Sequence, residues 1–358
     1  MNLRENVSLA PLTTFKIGGP ARYFVEAKTI EDVSDAIKFA HTNSLPIFVL
    51  GGGSNILISD NGFAGVVIHL QLANLRFEDR DDAVLVTADA GVVWDELVMQ
   101  AVQQGYSGVE SLSGIPGTVG GAVVANLGAY GTQLSDVLVS VKALDLHNQE
   151  NGVKTFEKND CEFSYHDSVF GKYPGRYIVL EMVLKLARDR SPDFTYKDHR
   201  FNFTDIMATE NLPRTLVGLR TAVLSIREKK GVLQTCYKSA GSFFHMLAVS
   251  ETQYTDITAR AQVLNPELEQ RLRPWAWKQA SGTYRVASAF LLEFTEFPKG
   301  FVRDLVGVSP KHQLSIINLG GARASEVAEL ARDMHNSVKK LFDVDLEREV
   351  EYVGDVEK

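Results

Sequence analysis

Cysteine is scarce in this chain: Cys161 and Cys236 are the only two in 358 residues. Two thiols so far apart make neither a disulfide framework nor a metal-ligand spacing, and they fit a reducing compartment. An excess of positive charge is also missing. Lysine and arginine number 37 against 45 acidic residues, a net charge of −8, and no basic run is interleaved with aromatics. A dedicated nucleic-acid surface is therefore not expected. No stretch of 18 apolar residues occurs, which argues against a membrane-spanning helix. The first residues, Met1-Asn2-Leu3-Arg4-Glu5-Asn6-Val7, lack the apolar core of a secretory signal. Repeats and low-complexity tracts are absent as well. What remains is an ordinary globular composition, 45% hydrophobic and 23% charged. The length suffices for two or three domains.

Against this plain background two glycine-rich loops stand out. Gly51-Gly52-Gly53-Ser54-Asn55 follows the apolar run Ile47-Phe48-Val49-Leu50, and Ser113-Gly114-Ile115-Pro116-Gly117-Thr118-Val119-Gly120-Gly121 lies about sixty residues later. Consecutive glycines let a backbone approach a ligand with no Cβ in the way, and successive N–H groups in such a turn form an anion-binding concavity. Two loops could hold the two phosphates of one dinucleotide. Neither is a G-x-G-x-x-G opening a helix, and neither ends in the Gly-Lys-Ser/Thr of a P-loop. The usual nicotinamide and ATP folds are thus set aside, while two tight turns remain the simpler alternative for either loop alone.

Around the loops, residues 1–75 read as alternating strand and helix. Val33, Ala36, Ile37 and Ala40 mark one face of a helix over Glu31–Asn43, and strands are expected at Ile47–Leu50 and Val66–Ile68. A further strand at 83–88 precedes a helix over Val93–Gln104 with Leu97, Ala101 and Val102 inward. The pattern then turns β-rich, with strands at Val139–Leu144 and Tyr177–Leu184. Residues 188–214, including Asp189, Arg190, Ser191 and Pro192, read as polar and irregular, and a third region starts near 229. Ser325 is the expected N-cap of a helix striped by Val327, Leu330, Ala331, Met334 and Val338. The chain closes on a strand-like Arg348–Val353.

Six stretches, taken in order, resemble one family. They are Pro11-Leu12-Thr13-Thr14-Phe15-Lys16-Ile17-Gly18-Gly19, the two glycine loops (the first with Leu50), Asn126-Leu127-Gly128-Ala129-Tyr130-Gly131, Ala240-Gly241-Ser242-Phe243-Phe244 and Leu346-Glu347-Arg348-Glu349-Val350. Together they are similar to the UDP-N-acetylenolpyruvoylglucosamine reductases, also called UDP-N-acetylmuramate dehydrogenases, from about residue 9 to 354. The stretch from 138 to 235 resembles the family's first type. The resemblance implies an α+β protein. An FAD-binding fold of the vanillyl-alcohol-oxidase/PCMH type would occupy two subdomains, 1–75 and 76–228, with strand 346–354 near the active site. A smaller α+β substrate-binding domain would span 229–345. It further implies a cytoplasmic monomer that reduces the enolpyruvyl ether of a UDP-sugar in peptidoglycan synthesis, with NADPH as co-substrate and without a metal. FAD would be non-covalent, since neither glycine loop holds a histidine to be flavinylated. Partners would be the small-molecule substrate alone, with no nucleic acid and no membrane.

Residue by residue, the resemblance assigns the flavin to Gly51, Gly52, Gly53, Ser54, Asn55, Gly114, Ile115, Pro116, Gly117, Thr118, Gly120, Gly121, Asn126, Gly128, Ala129 and Tyr130. Tyr165, Tyr196 and Lys230 match substrate-binding positions. Ser242 matches the proton donor and Glu349 the acid beside the enolpyruvyl carboxylate. Read without the family, Ser242 would be a turn residue, and Glu347, Glu349 and Glu351 would alternate on one solvated face. Three departures fall on the substrate side. The motif Tyr-Arg-x-Ser is here Tyr165-His166-Asp167-Ser168, which replaces a fixed planar cation by a titrating ring. Gly-Ser-Phe-Phe-Lys-Asn-Pro is here continued by His245-Met246-Leu247. Lys-Leu-Pro is here Lys230-Gly231-Val232. These changes leave open the same reaction with an altered carboxylate contact, a different nucleotide-sugar or enolpyruvyl substrate, or a flavin-binding paralogue without turnover.

Overall fold

The computed structural model describes residues 1–147, 152–188, 191–198 and 200–356. The chain divides into two compact units. One comprises Met1–Val7, Pro20–Gly53 and Phe63–Glu228; the other comprises Ser8–Gly19, Ser54–Gly62 and Lys229–Lys358.

The first unit holds two large sheets, besides the small hairpin of Gly128–Ala129 and Thr132–Gln133. In the four-stranded sheet, ordered Leu3–Ser8, Pro20–Ala27, Phe63–Leu70, Ile47–Leu50, the central strand pairs in parallel with the strands on either side of it. Pro20–Ala27 and Ile47–Leu50, which flank Phe63–Leu70, run parallel to each other and so need a crossover, which helix Ile30–Thr42 supplies. Its start is defined by a capping box in which Thr29 Oγ1 accepts from the Asp32 N–H while the Asp32 carboxylate accepts from the Thr29 N–H. Val33, Ala36, Ile37 and Ala40 are all buried, as the spacing requires. The larger, antiparallel sheet runs Val153–Glu157, Leu138–Asp145, Tyr177–Arg188, Ala83–Asp89, Leu75–Asp79, with Tyr106–Ser107 also on the long strand. Tyr177–Arg188 is central and reads as a near-continuous apolar run. The edge strands Leu75–Asp79 and Val153–Glu157 are largely polar, so periodicity alone does not reveal them. Of the polar stretch 188–214, Asp189, Arg190 and His199 lie outside the described residues. The remainder contains helix Phe203–Thr209, capped by the Asn202 side chain.

The second unit is built on small antiparallel sheets, Leu247–Val249, Tyr284–Val286, Ala276–Lys278 and Val302–Arg303, Val306–Val308, Ile316–Asn318. Helix Ala324–Phe342 buries Val327, Leu330, Ala331, Met334 and Val338. Ser325 is not its N-cap: the helix starts at Ala324 with Arg323 as N-cap, the Arg323 N–H donates to the Glu326 carboxylate (2.7 Å), and a tertiary carboxylate adds to this local cap. Asp60 accepts hydrogen bonds from the Ala324 N–H (2.7 Å), the Ser325 N–H (3.1 Å) and the Ser325 hydroxyl (2.9 Å). A carboxylate at this end also complements the helix dipole. The terminal strand is Glu351–Val353, paired in parallel with Ile56–Ile58.

Candidate active site

In the first unit the two glycine loops meet backbone to backbone. A Cβ on Gly52 would lie 2.6 Å from Gly117 Cα, and one on Gly51 would lie 2.7 Å from Thr118 Oγ1. Only glycine permits that approach. Gly53, Gly114 and Gly117 take positive φ (61°, 71° and 123°). Three neighbouring groups hold the longer loop. The Trp94 indole N–H donates to Leu112 O (3.0 Å) and the Trp94 backbone N–H to Gly117 O (3.1 Å). The Asp95 carboxylate accepts from the Gly114 N–H (2.6 Å) and takes a two-pronged bond from Arg220 (2.6 and 2.7 Å). Arg227 Nε donates to Gly114 O (3.1 Å). Burial works against the Asp95 charge, but Arg220 and the Gly114 amide outweigh it and hold the carboxyl below its ordinary range. None of Trp94, Asp95, Arg220 and Arg227 lies in a glycine motif, and no local signal marks them.

The cradle shows one unfinished contact. Thr118 opens helix Val119–Val124 without capping it, and its Oγ1 is buried with no hydrogen-bond partner among the described residues. A buried hydroxyl left without a partner is costly. Beside backbone packed too closely for any side chain, it fits a polar, phosphate-bearing ligand. Gly120 serves packing: its N–H donates to Ala90 O (2.9 Å), and a Cβ there would meet Ala90 Cβ at 3.1 Å. Gly121 faces open space. Ile115 and Pro116 complete the loop.

Asn126–Gly131 is a tight hairpin. Gly128 and Ala129 pair with Gln133 and Thr132, and Tyr130 and Gly131 both take positive φ (53° and 80°), as a two-residue turn of this hand requires. The Asn126 side chain is occupied by protein: Oδ1 accepts from the Ser135 N–H (3.1 Å), and Nδ2 donates to Ser164 O (2.8 Å). It thereby anchors a reciprocal turn in which Ser164 and Asp167 exchange backbone hydrogen bonds (3.0 and 3.3 Å). Tyr165 and His166 form the tip of that turn, ring edge to face at 4.3 Å, with His166 left-handed at φ 52°. The Tyr130 ring meets Tyr196 edge-on (5.1 Å) and its hydroxyl bonds Arg227. Tyr196 Oη donates to Asp198 (3.0 Å), and burial with that carboxylate nearby pushes the phenol up.

The remaining candidates lie in the second unit. Lys230 ends helix Leu216–Lys230, and Gly231 (φ 70°) follows as a glycine stop. Ser242 is half-buried after left-handed Gly241. The segment beyond it pairs antiparallel with the C-terminal stretch: Phe244 opposes Arg348, the Glu349 N–H donates to Phe243 O (2.9 Å), and the His245 N–H donates to Glu347 O (2.9 Å). Asn55 secures the same stretch. Its Nδ2 donates to Glu349 O (3.1 Å), and its own carbonyl accepts from the Glu351 N–H (3.0 Å). Ser54 precedes it. Thus Asn55, His245 and Glu349 meet on one small ladder, and Ser242 lies one residue before it in the chain. Glu349 is half-buried rather than solvated, and burial raises its carboxyl to about 7. Glu347 is exposed. His245 Nδ1 lies 3.7 Å from Glu349 Oε2. Among the described residues no cluster of His, Cys, Asp and Glu could hold a metal, and no helix is long and apolar enough to cross a membrane.

Comparison with known proteins gives the family. Residues 21–148 match the FAD binding domain family, and residues 233–353 match the C-terminal domain of UDP-N-acetylenolpyruvoylglucosamine reductase. The reductase of that name from Thermobifida fusca is 35% identical over 357 residues, covering 98% of each chain. That from Pseudomonas aeruginosa is 34% identical, again covering 98% of each. The crystal structure of the reductase from Thermus caldophilus superposes with a TM-score of 0.62 at 26% identity, covering 99% of this chain and 100% of that one. The fold is α+β, with an FAD-binding part of the vanillyl-alcohol-oxidase/PCMH type. The chain belongs to the UDP-N-acetylenolpyruvoylglucosamine reductase family.

Proposed function

We infer that this chain reduces the enolpyruvyl ether of UDP-N-acetylglucosamine enolpyruvate to UDP-N-acetylmuramate, with FAD as cofactor and NADPH as hydride source, as a step of peptidoglycan synthesis. The observation that carries the reading is end-to-end family membership together with a cradle of glycine backbone around the buried Thr118 hydroxyl. Bound FAD supplies a hydride relay from nicotinamide to the enolpyruvyl β-carbon. The cradle that receives it is Gly51–Gly53, Gly114–Thr118 and the Asn126–Tyr130 hairpin, and the protein's share there is position and field.

On the substrate side, Ser242 Oγ delivers the proton to the α-carbon. Negative charge builds at that carbon and its carboxylate, and the acid form of Glu349 can donate a hydrogen bond where an ionised one would repel. Burial keeps that acid form populated up to about pH 7. Tyr165, Tyr196 and Lys230 are assigned to the UDP-sugar. We assign the protein to the cytoplasm as a monomer, in keeping with a nucleotide-sugar substrate.

The departures at His166, His245 and Met246 favour a carboxylate and sugar contact built differently from the motif's. Two experiments test the reading. A strain lacking the reductase should grow when supplied with this gene. Enzyme reduced anaerobically by NADPH should regain its yellow band on mixing with the enolpyruvyl substrate. Reduction by NADPH without reoxidation would reassign the protein to another nucleotide-sugar or enolpyruvyl acceptor.

A further inference from the structure

Position 245 carries a lysine in the motif, and position 166 an arginine; this chain has histidine at both. The ladder between Phe243–His245 and Glu347–Glu349 decides where the first of these points. Because Phe244 opposes Arg348, residues 243 and 245 share a face with 347 and 349, while Arg348 belongs to the opposite face. There its guanidinium lies 3.5 Å from the Tyr352 ring centroid. His245 and Glu349 are thus diagonal neighbours, Nδ1 to Oε2 3.7 Å apart, each about a quarter exposed (27% and 26%). The backbone on both sides is pinned. His245 N–H donates to Glu347 O, Ser288 Oγ donates to His245 O, and Asn55 Nδ2 donates to Glu349 O.

We propose that His245 and Glu349 form a proton-holding pair that recognises the ligand's carboxylate, so that the carboxylate is bound together with a proton instead of against a fixed cation. The inference rests on the reductase reading, which supplies the carboxylate. Burial lowers His245, Glu347 opposes that and Arg285 adds to it. Burial alone raises Glu349 to about 7, and Glu351, the next acid along the strand, is raised as well. The signs follow. Near pH 8 the free pair is Glu349 ionised and His245 neutral, so an arriving carboxylate draws a proton onto Glu349. Near pH 6 Glu349 already holds its proton, and any further uptake falls on His245. Wherever one proton is coupled, affinity changes about tenfold per pH unit.

Calorimetric titration of the FAD-loaded protein with UDP-N-acetylmuramate, in buffers of different ionisation enthalpy, reads the protons directly. Wild type should take up about one proton at pH 8 and a further fraction at pH 6, with affinity falling about tenfold per unit above pH 8. His245→Gln should lose the uptake at pH 6 and keep that at pH 8. Glu349→Gln should lose the uptake at pH 8. His245→Lys, which restores a fixed charge, should bind with little uptake at either pH. Buffer-independent enthalpies in wild type would overturn the proposal, and so would uptake at pH 6 that survives His245→Gln, since His166 would then carry it. A protein that gives no binding heat with UDP-N-acetylmuramate overturns the reductase reading itself.

Discussion

In the proposed reaction Ser242 and Glu349 divide one task between a weak acid and a stronger one. A serine hydroxyl is a poor acid, so Ser242→Ala should slow reoxidation of the reduced flavin by substrate about a hundredfold or more. Reduction by NADPH should stay near wild type, because no proton from Ser242 is needed there. Rapid-mixing absorbance separates the two halves, and equal slowing of both would show that Ser242 only shapes the site. Glu349 also leaves a mark on stability. Its folded value, about 7, stands above the ordinary 4.5, so the folded chain holds the proton more tightly than the unfolded one. The resulting stabilisation is complete below pH 4.5 and is lost as pH rises to about 7. The melting temperature of Glu349→Gln should therefore gain on wild type between those two values. Parallel melting curves across that window would show that water reaches the carboxyl freely.

At the scale of elements, two side chains far from any motif hold the loops. Asp95 joins the Gly114 amide to Arg220. Asp95→Asn would leave a half-buried guanidinium without its carboxylate, and FAD affinity should fall at least about tenfold, a loss of roughly 1.4 kcal/mol. Flavin fluorescence on titration measures this, and unchanged affinity would mean that Trp94 and Arg227 suffice. Asp95 also sets an acid limit. Its folded value lies below the ordinary one, so its contribution is present above the unfolded value of 3.8 and lost as pH falls through the folded value. Asn126 plays the same part for the turn that presents Tyr165 and His166. Asn126→Ala would strand the buried Ser135 N–H and remove one of the two donors to Ser164 O, at a cost of about 2 kcal/mol. A loss below about 0.5 kcal/mol by chemical denaturation would show that solvent replaces both bonds.

At the scale of the whole molecule, the chain passes repeatedly between its two units. The second unit needs Ser8–Gly19 and Ser54–Gly62: strand Ile56–Ile58 pairs with Glu351–Val353, Asp60 caps helix Ala324–Phe342, and Thr14 Oγ1 donates to Ser239 O. A fragment comprising residues 229–358 alone should thus fail to fold, with no cooperative thermal transition, whereas the full chain melts cooperatively. A cooperative melt of that fragment would show that those two segments are dispensable. Acid precipitation of the holoprotein should leave the yellow colour in the supernatant, as a non-covalent flavin requires.

Much of this was legible in sequence, for a local reason. Helices Ile30–Thr42 and Trp94–Gln103, strand Ile47–Leu50 and the buried stripe of Ala324–Phe342 follow from periodicity and caps, which act within a few residues. The glycine loops were legible because close backbone approach excludes every other residue, and the ordered motifs carried the family. Other features were set only in three dimensions. The polar edge strands Leu75–Asp79 and Val153–Glu157 owe their existence to the neighbours they pair with. The helix at Ala324 has Arg323 as its N-cap, two residues before the serine that local rules choose, and a carboxylate 264 positions away reaches its first turn. Glu349 is singled out from Glu347 and Glu351 not by alternation, which treats all three alike, but by His245 across the ladder and Asn55 beneath it. Charge and proton affinity depend on what surrounds a carboxyl, and only the folded chain assembles those surroundings.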